Sequence, residues 1–182
     1  MLLNIPIMLT YLRIVAIPVL VALHYLDYPL MTAFIFGMAG FTDWADGYLA
    51  RKWGQESRFG AFLDPVADKL MVAVALILVV DAQNSMWVTI AAAVIICREL
   101  LISALREWMA EVGQRSKVAV AFIGKLKTAA QMIALICLLY DKPLFGIPMH
   151  EIGLVLLAVA TLLTVWSMIN YLIDAFSPAS DS

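Results

Sequence analysis

The sequence predicts an all-α integral membrane protein: six transmembrane helices, both termini cytoplasmic, and an active site in the cytoplasmic half. Three observations carry that expectation. Of 182 residues, 64% are apolar and only 14% charged, far from the composition of a soluble globular domain. Six apolar segments follow one another, each near the ~20 residues that a bilayer requires. The basic residues are also one-sided. Connections 27–28, 81–85 and 140–146 contain only Lys142, and the other 11 of 12 Lys and Arg lie on the opposite side or in the adjoining half-spans. The positive-inside rule makes that side cytoplasmic. The length leaves room for one membrane domain over 1–182 and no separate soluble one. The net charge of −2 says little, because the two signs are segregated.

The first segment, Leu9–Leu26, is expected to be a retained span and not a cleaved signal, since no basic n-region precedes it. Residues 1–8 are expected along the interface, with Ile5, Leu9 and Leu12 at helical spacing. Pro18 should kink this helix. Arg13 is placed equally well as a snorkelling side chain or as part of a site. The second and third segments, Pro29–Leu49 and Gly60–Val80, flank a short polar link that carries Lys52, Ser57 and Arg58. Pro65 suits a first helical turn with Asp64 as N-cap. The fourth segment, Met86–Leu105, ends in Arg98, Glu99, Arg106 and Glu107. The fifth and sixth run over Val118–Leu139 and Ile147–Ile173. Cys97 and Cys137 have no Cys or His nearby and read as small core hydrophobes. Trp87, Trp108, Trp166 and the tyrosines near span ends read as interfacial anchors. His24 and His150 fall on the outer side and carry no expected role.

Two spans contain acids that a bilayer should exclude. Asp43, Asp46, Gly47, Ala50 and Arg51 fall at i, i+3, i+4, i+7 and i+8, one stripe of a helix; Gly60, Asp64 and Asp68 form a second. In a hairpin about the link, Asp43 would meet Asp68 and Asp46 would meet Asp64, because each pair is centred near residue 55. Four carboxylates that close do not all ionise without cations between them. An oxygen-only donor set suits Mg²⁺ or Mn²⁺ better than zinc. Gly47, Ala50 and Gly60 remove bulk where a flat or phosphorylated ligand approaches the backbone, and Arg51 offers a fork for phosphate. An ion network that only locks two helices is the blander reading, but ionisable groups inside a membrane default to function. Asp43 lies about 14 residues from Pro29, or ~21 Å into a core ~30 Å thick. The cluster is therefore open to cytosol and inner leaflet together.

A second constellation is basic. Arg98 and Arg106 share a face at i, i+8, and Lys125 and Lys127 lie inside the fifth apolar segment. Two arginines and two lysines converging on one side suit a dianionic phosphate. A patch for anionic lipid headgroups is the alternative. No role is set for Arg115.

The pattern Asp-x2-Asp-Gly-x2-Ala-Arg-x8-Gly-x3-Asp-x3-Asp, complete from Asp43 through Asp68 over 26 of 182 residues, resembles the signature of the CDP-alcohol phosphotransferases. Within that family the chain most resembles the bacterial branch whose acceptor is sn-glycerol 3-phosphate. That further likeness lies in Asn4-Ile5-Pro6, Thr10 and Arg13, in Arg98-Glu99 and Leu105-Arg106, and in Gly124-Lys125-Leu126-Lys127-Thr128. The resemblance implies a multi-pass enzyme of the bacterial cytoplasmic membrane and a homodimer. It also implies attack of an alcohol on the β-phosphorus of CDP-diacylglycerol with release of CMP. Asp43, Asp46, Asp64 and Asp68 would hold two Mg²⁺ or Mn²⁺ ions, and Asp68 would also be the general base. Asp43, Gly47, Ala50, Arg51, Ser57 and Gly60 would hold the CDP donor. Arg98, Arg106, Lys125 and Lys127 would hold the acceptor phosphate. Inositol phosphate, serine or phosphatidylglycerol are the rival acceptors, and an uncharged or zwitterionic one would not call for so many cations. A divalent-cation transporter, the rival from another class, would spread its acids through the membrane depth. A lipid scaffold has no use for the glycine spacing.

Overall fold

In the computed structural model, the backbone is described over residues 5–53, 58–112 and 122–176, and side chains over 8–42, 63–112, 124 and 126–173. The chain forms six α-helices: α1 (Ile5–Tyr25), α2 (Pro29–Trp53), α3 (Arg58–Gln83), α4 (Met86–Glu111), α5 (Phe122–Tyr140) and α6 (Met149–Phe176). Three of them, over Met8–Tyr25, Met86–Glu111 and Met149–Ile173, are long and apolar enough among the described residues to cross a membrane. Shorter apolar stretches are Pro29–Thr42 and Leu126–Tyr140. In α3 the apolar run is broken by Asp64, Asp68 and Lys69.

Among the described residues the helices close a ring in the order α1–α2–α5–α6–α4–α3, with α3 also touching α5 and α2 across it. Leu20, Phe36, Leu76, Ile95, Leu135 and Leu157 fill the middle, at least one from every helix. A smaller cluster of Ile102, Met109 and Tyr171 joins α4 to α6 at the end that carries the charged residues. The outward faces are apolar: Phe34, Ile77, Leu100, Leu162 and Ile173 are all exposed, as lipid-facing helices demand. Small residues set the closest crossings. A side-chain carbon added at Gly153 of α6 would meet Leu138 of α5 at 2.7 Å, so the glycine is what lets these backbones approach.

One end of the bundle is tightly stitched. Asp27, Asn84 and Asp141, which follow α1, α3 and α5, all adopt left-handed backbone at φ 57°, 43° and 52°, a conformation that Asp and Asn tolerate better than most. At Asp27 the chain forms a Schellman cap, with Tyr28 N–H donating to the Leu23 carbonyl and Asp27 N–H to that of His24. His24 lies 3.7 Å from Asp81, and His150 Nδ1 lies 2.6 Å from Asp141. Each pair ties one helix end to another, a role the sequence did not suggest for either histidine.

A helix covers nearly all of the described part of each of the six expected segments, residues 118–121 of the fifth lying outside the described residues, with three local differences. Helix α3 already runs at Arg58, so Pro65 sits inside it and Asp64 is not an N-cap. Proline lacks only one N–H, so a helix can continue through it with the loss of a single backbone hydrogen bond. Residues 5–8, expected along the interface, are the first residues of α1, and residues 1–4 lie outside the described residues. Cys137 is buried as expected, but Cys97 is exposed on the outside of α4.

Candidate active site

The first element of the site is built by α1 against α3. Thr10 and Arg13, three residues apart on α1, meet Asp64 and Asp68, four apart on α3, so each helix turns one face to the other. The Thr10 hydroxyl donates to Asp64, and Arg13 donates to Asp68, with its second terminal nitrogen 3.8 Å from Asp64. Thr10 is fully buried and Arg13 is 2% exposed. Arg13 therefore turns inward and does not snorkel, because the two carboxylates of α3 hold it. The Asp64 and Asp68 side chains remain 36% and 38% exposed. Each acid is thus anchored from α1 and open on another side, where a cation or substrate can enter.

A slot of about 300 Å³ runs between α1 and α2 to the same place. Leu12, Val15, Val19, Ile35 and Met38 line it, and Arg13 and Thr42 close its end. Thr42 directly precedes Asp43. The side chains of Asp43, Asp46, Gly47, Ala50, Arg51, Gly60 and Lys125, and all of Ser57, lie outside the described residues. Among those described, no three His, Cys, Asp or Glu gather as a metal site. Asp64 and Asp68 do fit a hard divalent cation. They are oxygen donors one turn apart, held in orientation from behind, with open faces.

The basic constellation is assembled by α4, α5 and α6. Arg98 is buried. One terminal nitrogen donates to Glu99 at 3.1 Å and the other to Ser167 Oγ at 2.9 Å. Ser167 gives its own proton to the Thr164 carbonyl at 3.1 Å, which leaves a lone pair for the arginine. Lys127, also buried, donates to the same Glu99 carboxylate. Arg98 Nε remains without a hydrogen-bond partner among the described residues, and a buried donor of that kind costs free energy until a ligand or water meets it. Arg106, two turns further along α4, is exposed and donates to the Tyr171 hydroxyl at 2.8 Å. The structure thus brings together three of the four expected cations, Arg98, Arg106 and Lys127.

Lys69 links the two halves. It follows Asp68 on α3 and donates to Ser103 of α4, one turn beyond Glu99. Acids and cations therefore occupy the same end of the bundle, on adjoining helices. The sequence pattern assigned no site role to Lys69, Ser103, Ser167 or Tyr171. The last two had a visible signal: Thr164, Ser167 and Tyr171 form a polar stripe at i, i+3 and i+7 along an otherwise apolar span. Tyr171 was expected at the interface, but it is 7% exposed and packs inward.

Over residues 3–166 the chain matches the family described as CDP-alcohol phosphatidyltransferase. It is 54% identical over 172 residues to a Salmonella choleraesuis protein named CDP-diacylglycerol–glycerol-3-phosphate 3-phosphatidyltransferase, covering 93% of each chain. Relatives of the same name from Haemophilus influenzae and Sodalis glossinidius are 55% and 56% identical, over 93% and 95% of this chain and 91% and 95% of theirs.

Proposed function

The chain belongs to the CDP-alcohol phosphatidyltransferase family, and from that premise we propose that it transfers the phosphatidyl group of CDP-diacylglycerol to sn-glycerol 3-phosphate. The products are phosphatidylglycerophosphate and CMP, which makes the protein a transferase of phospholipid biosynthesis. Relatives with this activity in their names match along nearly the whole chain. The observation that carries the reading is the shared end of the bundle: carboxylates held by Thr10 and Arg13 on one side, and Arg98, Lys127 and Arg106 on the other.

The residues divide the work as follows. Asp43, Asp46, Asp64 and Asp68 would hold the divalent metal, two ions of Mg²⁺ or Mn²⁺. When bound, these ions supply neutralisation of the charge that develops on the pyrophosphate. Asp43, Gly47, Ala50, Arg51, Ser57 and Gly60 hold the CDP end of the donor. Asp68 takes the proton from the acceptor hydroxyl as its oxygen bonds to the β-phosphorus, and the bond from that phosphorus to CMP breaks. Thr10 and Arg13 keep Asp64 and Asp68 turned toward the reacting groups. Arg98, Arg106, Lys125 and Lys127 receive the acceptor's phosphate. The bundle spans the bacterial cytoplasmic membrane six times as one domain, with both termini and the site on the cytoplasmic side, and it acts as a homodimer.

Acceptor competition tests this directly. Purified protein is given CDP-diacylglycerol with sn-glycerol 3-phosphate, glycerol, serine or inositol phosphate, and CMP release is followed. Glycerol 3-phosphate should be the best acceptor. Lys127→Ala should raise its KM by about 10- to 150-fold, the worth of one charge-assisted contact, and leave the donor KM little changed. A faster rate with serine or inositol phosphate would overturn the assigned reaction.

A further inference from the structure

We propose that Tyr171 is a positioning residue, whose ring and hydroxyl gather Arg98 and Arg106 into one anion-binding pair for the acceptor's phosphate. The inference rests on the acceptor assignment above and goes beyond it. Arg98 and Arg106 sit two turns apart on α4, about 12 Å along the helix axis, and their like charges repel. Yet both guanidinium carbons lie over one ring of α6, at 5.6 and 5.2 Å from its centroid. Tyr171 is buried at that place, beside Ile102 and Met109.

Two kinds of partner hold the cations here, and they differ in what they leave behind. Glu99 holds Lys127 and Arg98 with a formal negative charge, which offsets positive charge that a phosphate would otherwise meet. An aromatic ring attracts guanidinium through its quadrupole and carries no net charge. Tyr171 therefore contacts both arginines and, unlike Glu99, offsets the charge of neither. Its hydroxyl takes one donor of Arg106, and a guanidinium carries five, so most of the fork stays available. A phosphate dianion needs two or more such donors converging within hydrogen-bond reach. A neutral acceptor gains little from them. On this account Tyr171 sets discrimination between phosphorylated and unphosphorylated acceptors.

The test is steady-state kinetics of Tyr171→Phe and Tyr171→Leu in detergent, with sn-glycerol 3-phosphate and donor varied separately, and with glycerol as the unphosphorylated comparison. Loss of the hydroxyl in the phenylalanine variant should raise the KM for glycerol 3-phosphate by about 2- to 5-fold, and loss of the ring in the leucine variant by about 10- to 50-fold. The donor KM should stay within about twofold and the deficit should be recovered at saturating acceptor, as expected when the lost contact to one substrate is made equally in ground and transition states. The preference for glycerol 3-phosphate over glycerol should fall in the same order. Phenylalanine preserves shape and packing, so its arm stands even where leucine lowers the thermal midpoint. Unchanged acceptor KM in both variants would overturn the inference alone, as would parallel rises in donor and acceptor KM. Failure of the wild type to use glycerol 3-phosphate would overturn the functional reading beneath it.

Discussion

Arg13 of α1 donates to Asp68 of α3, joining residues 55 positions apart in the chain through a contact in which the arginine is almost wholly buried. The pairing brings the first helix against the candidate site. Replacing Arg13 by alanine should lower thermal stability by about 1–3 kcal/mol, since Asp68 loses a charge-assisted partner but stays partly solvated. Turnover should fall at least tenfold as the carboxylate loses its orientation. Arg13→Lys should retain more of both, though without the fork that reaches Asp64 as well. Thermal midpoints and CMP release of the two variants check this; equal behaviour of Lys and Ala would remove the orienting role.

Asp64→Asn, Asp43→Asn and Asp46→Asn should each abolish CMP release while the protein still folds, and EDTA should do the same to the wild type. Restoration by Mg²⁺ or Mn²⁺ after chelation is the positive control. Full activity in EDTA would dispose of the metal requirement.

Asp68→Asn should separate binding from chemistry. Donor binding should survive, whereas turnover drops by about 10²–10⁴-fold, the usual worth of general-base catalysis. Parallel loss of binding and turnover would make Asp68 a ligand only.

Most of the helical architecture was readable from the chain. Helices α2 and α4 begin at Pro29 and Met86, where the apolar runs begin. The ends were less accessible: α2 runs through polar residues to Trp53, because a helix satisfies its own backbone beyond the apolar stretch. Asp64 was read as a cap because a proline normally marks a start, although the stripe of Gly60, Asp64 and Asp68 already placed the helix earlier. Stripe spacing exposed the candidate acids and cations. It did not reveal their partners, since Thr10, Ser103 and Ser167 act across helices and that pairing depends on which helices adjoin. Tyr171 looked like many other span-end tyrosines until α6 was seen to turn it inward against α4.

Glu99 should show strong coupling with Lys127. Glu99→Gln leaves Arg98 and Lys127 buried without their carboxylate, and breaking such a pair costs about 3–5 kcal/mol. In the double variant Glu99→Gln/Lys127→Met one of the two stranded charges is gone, so part of that loss should return. A double-mutant cycle on thermal or denaturant unfolding should give an interaction energy of roughly 1–3 kcal/mol. Strict additivity would mean the two groups do not depend on each other.

The stitched end of the bundle bears on the chemistry through leverage. Caps at Asp27, Asn84 and Asp141 and the two His–Asp ties fasten the helices at the end away from the aspartates and arginines. A helix of 26 residues such as α3 or α4 is about 39 Å long, so one degree of tilt at its fastened end swings the other by roughly 0.7 Å. Functional groups must be held within about 0.5 Å of their working geometry. The fastened end is thus the fulcrum that sets how far apart the reacting side chains stand, and damage to a cap there would be felt as misalignment at the far tip.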